Sequence, residues 1–160
     1  MKVVSLVTQK GGSGKSTLCV SLAVAAQEAG HKVGILEMDK QATVSQWAQA
    51  RQGKPPEVGQ VSVDRLAGAI SSLAGGGYDY VFIDTPGVDS PGTHAAIRVS
   101  DLCLIPCRPT PADLRGVSPT LHAIHRMEKS FAFVLNQTPP KSYRVRDTSE
   151  GLKVLGMLAR

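Results

Sequence analysis

Short aliphatic runs alternate with longer alanine-rich or amphipathic segments along the whole chain. The aliphatic runs predict buried strands at residues 3–8, 32–36, 80–83, 102–106 and 131–135. The segments between them predict helices at residues 16–29, 43–50, 63–73, 92–99, 112–128 and 144–155. This alternation predicts a three-layer α/β fold, in which helices cover both faces of a mostly parallel sheet. Ligands of such folds bind at the carboxyl ends of the strands, where we expect the chemistry-bearing residues.

A glycine-rich segment, QKGGSGKST at residues 9–17, follows the first predicted strand. It matches the end of the phosphate-binding loop G-x-x-x-x-G-K-[ST], with two departures: Gln9 replaces the first glycine, and Lys10 is an additional lysine. Glycines allow successive N–H groups to turn toward one anion, and the helix that follows adds the positive end of its dipole. The predicted nucleotide-binding residues of this loop are Gly11, Gly12, Ser13, Gly14, Lys15, Ser16 and Thr17.

Two residues of this loop have distinct expected roles. Lys15 is expected to contact the β- and γ-phosphates, and the Ser16 hydroxyl to bind Mg²⁺. The alternative is a glycine-rich turn that carries a surface lysine. The strand before the loop, the alanine-rich helix after it and Gly30, placed to end that helix, favour the phosphate loop.

Two acidic residues follow predicted strands. Asp84 ends the run at 80–83 and is followed by Thr-Pro-Gly, a loop suited to sensing the γ-phosphate. P-loop proteins hold Mg²⁺ with such a Walker B carboxylate, although an aspartate at a strand end is more often a turn or cap residue when it occurs alone. Asp39 follows the run at 32–36, and the spacing leaves two interpretations open. It orients an attacking water or assists the metal, or it caps the helix after it.

Composition narrows the class of protein. The 160 residues predict one domain, 1–160, with an apolar content that is mostly Val, Leu, Ile and Ala. We expect neither a membrane span nor a secretory signal, because no apolar run of 18 residues occurs and a strand begins at once. Three cysteines, Cys19, Cys103 and Cys107, lack C-x-x-C spacing; Cys103 and Cys107 lie on an apolar run and are expected to be buried strand residues, in a cytoplasmic protein.

The net charge of +5 is unevenly distributed. Residues 1–107 carry equal numbers of acidic and basic side chains, whereas residues 108–160 carry nine Lys or Arg against four Asp or Glu. A basic half is typical of a surface that contacts nucleic acid. An ordinary solvated surface is the alternative, since no dense basic run occurs.

Together these motifs make the chain resemble the ParA/MinD family of ATPases, the deviant Walker A group of SIMIBI-like P-loop proteins. The resemblance depends on residues 10–17, on Asp39 with Gln41, and on Asp84 with the Thr-Pro-Gly that follows. The segment CRPTPADL at 107–114 resembles the proline-bearing segment of the family, and LNQ at 135–137 its adenine site. Within the family the chain is most similar to small ParA proteins, since no helix-turn-helix extension precedes the first strand.

The resemblance implies roles for individual residues. Lys10, Lys15 and Asp39 are the candidate catalytic residues: Lys10 would cross a dimer interface to the partner's nucleotide, and Asp39 would orient the hydrolytic water. Ser16 and Asp84 are the candidate metal-binding residues. Asn136 would select adenine, although an Asn before Gln-Thr-Pro-Pro is also typical of a turn.

The function that the resemblance implies is that of a partition protein with ATP and Mg²⁺ as cofactors. It would form a homodimer on ATP, bind nucleoid DNA non-specifically in the cytoplasm, and hydrolyse ATP slowly until a centromere-binding adaptor stimulates it. One alternative is a MinD-like ATPase on a membrane, although the stripe Leu152, Leu155 and Leu158 is more typical of a core. Another alternative is a nucleotide-dependent binding module that does not hydrolyse ATP.

Three positions depart from the family pattern. Glu37 stands where the family commonly has Asp, and Lys40 replaces the usual proline of the same loop. The sequence ends at residue 160, where relatives continue with another strand and a terminal helix. We therefore expect an architecture that lacks this C-terminal strand and helix.

Overall fold

A computed structural model describes residues 1–139 and 143–159, without the side chain of Arg144. Its elements, in chain order, are β1 (Lys2–Leu6), α1 (Lys15–Glu28), β2 (Val33–Glu37), α2 (Thr43–Ala50), β3 (Glu57–Gln60), a 3₁₀ turn (Val63–Arg65), α3 (Leu66–Gly75), β4 (Tyr80–Asp84), α4 (Pro91–Val99), β5 (Leu102–Cys107), α5 (Pro111–Arg126), β6 (Phe131–Leu135) and α6 (Tyr143–Leu155). The predicted strands and helices are all present, with ends that differ by up to two residues, except that the helix expected at 63–73 begins with the 3₁₀ turn.

The described strands form one sheet in the order β3-β2-β4-β1-β5-β6, and every neighbouring pair is parallel. β1, which precedes the glycine-rich loop, lies between β4 and β5 near the middle of this sheet. The carboxyl ends of all the strands therefore lie along one edge, as the alternating sequence pattern predicted.

The helices form two layers that enclose the sheet. On one face Cys19 and Ala23 of α1 and Val44 of α2 pack against alternate strand residues such as Leu6 and Phe82. The other face is covered by α3, α4, α5 and α6 in two further clusters, which include the fully buried residues Leu66, Ile97, Ile124 and Leu152. The expected three-layer α/β architecture is confirmed; Cys103 and Cys107 are buried as expected, and Cys19 is buried as well.

Strand β3 differs from the expectation, whereas the far edge of the sheet agrees with it. β3 has one aliphatic residue, Val58, and its register with Ile35 of β2 places it at the edge of the sheet. At the opposite edge residues 157–159 pair with β6: the Phe133 N–H donates to the Met157 carbonyl and the Ala159 N–H to the Phe133 carbonyl, each at 2.8 Å. This contact is an isolated bridge and not a further strand. Among the described residues no strand or helix follows α6, in agreement with the expected lack of a C-terminal strand and helix.

Candidate functional site

The glycine-rich loop has the backbone of an anion-binding nest. It connects β1 to α1 over residues 7–14, and Gly12 (φ 75°) and Gly14 (φ 92°) adopt the left-handed conformation. Gly14 is the N-cap of α1, where a side chain is excluded for a second reason: a Cβ would overlap Asn136 Nδ2. Gly11 lies in the loop without a positive φ. The loop thus aims the N-terminus of α1 at the space that the sequence predicted for phosphate.

Lys15 is enclosed by this loop. Its side chain is 6% exposed, and the Nζ atom donates to the Lys10 carbonyl at 3.4 Å. Burial lowers the pKa of the Lys15 ammonium, while the carboxylates of Asp84 and Asp39 oppose that shift. A buried cation with one long hydrogen bond has donor capacity left for an anionic ligand.

Ser16 and Asp84 meet at the junction of α1 and β4. The Ser16 hydroxyl donates to Asp84 Oδ2 at 2.7 Å, and the other oxygen, Oδ1, is buried with no partner among the described residues. Burial raises the pKa of Asp84 to about 6, although the Ser16 hydrogen bond and the Lys15 charge lower it. An orphaned buried carboxylate oxygen beside a hydroxyl is a donor set that fits Mg²⁺, which prefers oxygen ligands and retains water.

The Thr-Pro-Gly segment after β4 closes over the loop. Thr85 is buried, and its hydroxyl donates to the Leu6 carbonyl at 2.7 Å. At Gly87 a Cβ would lie 3.1 Å from Gly11 Cα and 3.2 Å from Lys15 Nζ, so only glycine lets the two loops approach this closely.

The sequence left two interpretations open for Asp39, and the contacts of Asp39 and Glu37 distinguish between them. Asp39 Oδ1 accepts from the Gln41 N–H at 3.0 Å, within its own loop, and does not cap α2. Glu37, 1% exposed, provides that cap: its carboxylate accepts from the N–H groups of Val44 at 2.7 Å and Ser45 at 2.9 Å, and from the Ser45 hydroxyl. Both acids line an open cleft of about 1130 Å³, but only the longer arm of Glu37 is used to cap α2.

Asn136, after β6, contacts the glycine-rich loop directly. Its Nδ2 donates to the Ser13 carbonyl at 2.9 Å, and its Oδ1 accepts from the Gln137 N–H at 2.9 Å. The Gln137 side chain donates in turn to the Gly12 carbonyl at 3.2 Å. Asn136, which was predicted to contact adenine, thus binds one carbonyl of the loop, and Gln137 binds a second.

Lys10 lies against α5 of its own chain. Its side chain passes Gly116, where a Cβ would be 3.5 Å from Lys10 Cδ, and its Nζ is 3.8 Å from Asp113 Oδ1. Asp113 is also paired with Arg108 and Thr110. The roles of Asp113, Arg108 and the Glu37 cap were not predicted from the sequence. The spacing of Thr110 and Asp113, three residues apart at a helix start, could have indicated the contact between these two residues.

The structure brings the predicted residues together at the carboxyl edge of the sheet, and Thr17, on the first turn of α1, is exposed. In the described ranges, 1–139 and 143–159, no helix has the length and apolarity to cross a bilayer.

Comparisons with known proteins identify the family to which the chain belongs. The family model of the CobQ/CobB/MinD/ParA nucleotide binding domain matches residues 4–160. The chain is 32% identical over 144 residues, 88% of its length, to maintenance of carboxysome distribution protein A of Gloeobacter kilaueensis. It is also 32% identical over 134 residues, 81% of its length, to a protein ParA of Rhizobium radiobacter.

A solved structure shows the same fold. The MinC:MinD cell division protein complex of Aquifex aeolicus superposes with a TM-score of 0.80 at 18% identity, over 99% of this chain and 79% of that one. The chain spans 65% and 59% of the lengths of the carboxysome-distribution and ParA relatives. On the evidence of the family match and these identities, the chain belongs to the CobQ/CobB/MinD/ParA family of nucleotide-binding domains, whose members include partition and positioning ATPases.

Proposed function

We propose that this chain binds ATP with Mg²⁺ and hydrolyses it, as a partition or positioning ATPase. The observation that carries the proposal is the contact between Ser16 and Asp84 beside the buried Lys15, with one carboxylate oxygen left unpartnered. Lys15 and the N–H groups of residues 11–17 would hold the phosphates, and Ser16 and Asp84 would hold the metal through oxygen and water. Bound Mg²⁺ would neutralise charge on the phosphates during transfer.

Asp39 is the residue that we propose to orient the hydrolytic water. Its carboxylate is half-buried, faces a cleft and is not needed to cap α2, because Glu37 has that role. The Asp39 charge raises the pKa of both Lys15 and Asp84, which supports a position near the proposed phosphate site. An adaptor would reach Asp39 through the same cleft and thereby stimulate slow hydrolysis.

The direct test is ATP turnover by the purified chain, with Lys15→Ala as the inactive reference and Asp39→Ala as the variant. We expect Lys15→Ala to lose ATP binding, and Asp39→Ala to bind ATP but lose turnover. Equal turnover by the wild type and Lys15→Ala would reject the ATPase. Binding without turnover, with DNA and adaptor present, would support the non-hydrolysing module instead.

Dimerisation on ATP is proposed from Lys10. Its contact with Asp113 is long, at 3.8 Å, and its side chain is 32% exposed, so it can leave this position at small cost. We expect sedimentation to show an ATP-dependent dimer for the wild type and a monomer for Lys10→Ala. An unchanged dimer in Lys10→Ala would exclude the role of Lys10 in the partner's nucleotide site.

Asn136 is retained as a proposed adenine contact.

Non-specific DNA binding is proposed from the basic last third, with plasmid or chromosome partition at the nucleoid as the role and a centromere-binding protein as the adaptor. Its exposed basic residues include Arg115, Arg126, Arg146 and Lys153 on α5 and α6. Lys141, Arg160 and the Arg144 side chain lie outside the described residues. We expect binding to DNA of any sequence with ATP, falling steeply as salt rises. Equal binding with ADP would reject a nucleotide switch.

A membrane-associated role is the second candidate, because one specific observation favours it. Val154, Leu155 and Met157 are 87%, 52% and 72% exposed at the end of α6, and of the leucine stripe only Leu152 is fully buried. Apolar side chains next to basic ones can bind an anionic lipid surface. Co-sedimentation with anionic vesicles in the presence of ATP, and none with DNA, would favour this role over partition on DNA.

A further inference from the structure

Arg108 lies between a buried carboxylate and the glycine-rich loop. It is the first residue after β5, and its Nε and Nη2 donate to Asp113 Oδ2 and Oδ1 at 2.8 and 3.2 Å. The third nitrogen, Nη1, takes no part in that pair. It lies 4.0 Å from the point that a Cβ on Gly12 would occupy, beside the loop.

Asp113 gives Arg108 a rigid anchor. It is 3% exposed on the first turn of α5, where its N–H donates to Thr110 Oγ1 at 3.2 Å and its Oδ2 accepts from the Thr110 hydroxyl at 2.6 Å. A two-point pair between a guanidinium and a carboxylate fixes the plane of the guanidinium. The free edge of Arg108 is therefore held in one position next to Gly12.

The charges around this anchor do not balance. The ammonium of Lys10 is 3.8 Å from the same carboxylate, so two cations share one anion. One positive charge is left over at the edge of a loop whose own N–H groups and buried Lys15 already favour an anion. A polyphosphate is the ligand that would neutralise this surplus.

We propose that Arg108 is a further phosphate-binding residue, whose Nη1 donates to the polyphosphate of a nucleotide held in the loop of its own chain. Gly12 itself places no side chain between Nη1 and the loop, since the nearest atom to a Cβ at this position would be Nη1. The inference rests on the proposed nucleotide binding. Arg108 would add a third cation to the proposed nucleotide site, after Lys15 and Lys10, and this cation comes from the segment between β5 and α5.

The test compares Arg108→Gln and Arg108→Lys with the wild type by calorimetric titration with ATP and with inorganic tripolyphosphate. Arg108→Lys keeps a cation for Asp113, but one ammonium cannot pair with Asp113 and reach the loop together. We expect both variants to bind both probes about tenfold more weakly, the effect of one charge-assisted hydrogen bond. The dependence of affinity on salt should also become less steep, because one phosphate contact is lost.

Two further variants separate the possible outcomes. Arg98→Gln, exposed on the last turn of α4, removes the same charge away from the loop and should bind ATP as the wild type does. If Arg108→Lys binds both probes within twofold of the wild type while Lys15→Ala does not bind, Arg108 serves only to pair with Asp113 and the proposal is wrong. If the wild type binds neither probe, the nucleotide-binding function itself fails.

Discussion

Ser16 and Asp84, 68 residues apart in the sequence, are joined by a 2.7 Å hydrogen bond that leaves one oxygen of the carboxylate buried and unpartnered among the described residues. A buried acceptor without a donor costs folding free energy. Buried polar atoms without a partner are commonly found where a protein binds a ligand or an ion. The same pair is therefore a weak point of the ligand-free chain and the centre of its proposed metal site.

The pKa of Asp84 predicts how stability varies with pH. Burial raises this pKa from 3.8 to about 6, so the folded chain holds the proton more tightly than the unfolded chain does. Stability from this group is then greatest below pH 4, falls as the pH rises toward 6, and is lower by about 3 kcal/mol above that. We expect Asp84→Asn, measured by urea unfolding in EDTA, to lose this fall and to exceed the wild type at pH 8. The control Asp147→Asn changes an exposed carboxylate and should keep the fall in stability that Asp84 causes in the wild type. If the stability of Asp84→Asn varies with pH as that of the wild type does, Asp84 is not the group that causes the fall.

Gly87 tests the close approach of the two loops. In Gly87→Ala the new Cβ would press on Gly11 Cα and Lys15 Nζ at 3.1 and 3.2 Å. We expect a loss of about 1–3 kcal/mol in stability and weaker ATP binding. Gly68→Ala in α3 is the control, because its Cβ would meet no atom within 4 Å, and helix propensity should raise its stability by up to about 1 kcal/mol. Wild-type ATP affinity in Gly87→Ala would show that the contact has no bearing on the site.

Glu37 tests whether the cap of α2 positions the Asp39 loop. Glu37→Ala leaves the N–H groups of Val44 and Ser45 without their acceptor, which should cost about 2–4 kcal/mol. We also expect ATP turnover to fall more than ATP affinity, since the loop between β2 and α2 would loosen. Glu28→Ala, exposed at the end of α1, should change stability by less than about 0.5 kcal/mol. A Glu37→Ala variant as stable as Glu28→Ala would refute the capping role.

A substitution at Asn136 can distinguish the proposed contact with adenine from the observed contact with the Ser13 carbonyl. Asn136→Ala removes the hydrogen bond to the Ser13 carbonyl, and this should weaken the binding of ATP and GTP alike, by up to about tenfold. A contact with adenine should add a further loss for ATP alone, which is the result we expect. Competition binding with both nucleotides measures the difference. Equal losses would reject the adenine contact and leave Asn136 as a residue that supports the loop.

The sequence predicted most of the elements because their patterns are strong and local. The run from Val3 to Val7 is buried on both faces of the sheet, and such runs differ clearly from the helices between them. β3 was missed because its residues are largely exposed and it has a single valine. Its extended shape comes from pairing with β2 at the edge, which is a tertiary contact.

The candidate site was predictable to the extent that its residues belong to one contiguous motif or end a buried strand. Lys15, Ser16 and Asp84 meet that condition, and the structure brings them together. The roles of Glu37 and Asp39 could not be separated, because either acid is close enough in sequence to cap α2. Only the geometry of the turn decided that Glu37 accepts from that helix.

The sequence by itself thus determined the alternation of strands and helices, the glycine-rich loop and the placement of acids at strand ends, since each depends on neighbouring residues. Tertiary structure alone decided the strand order, the burial that raises the pKa of Asp84, and the contact of Lys10 with Asp113. These depend on distances between segments far apart in the chain. Such distances are determined when the whole sheet packs, and no local pattern encodes them.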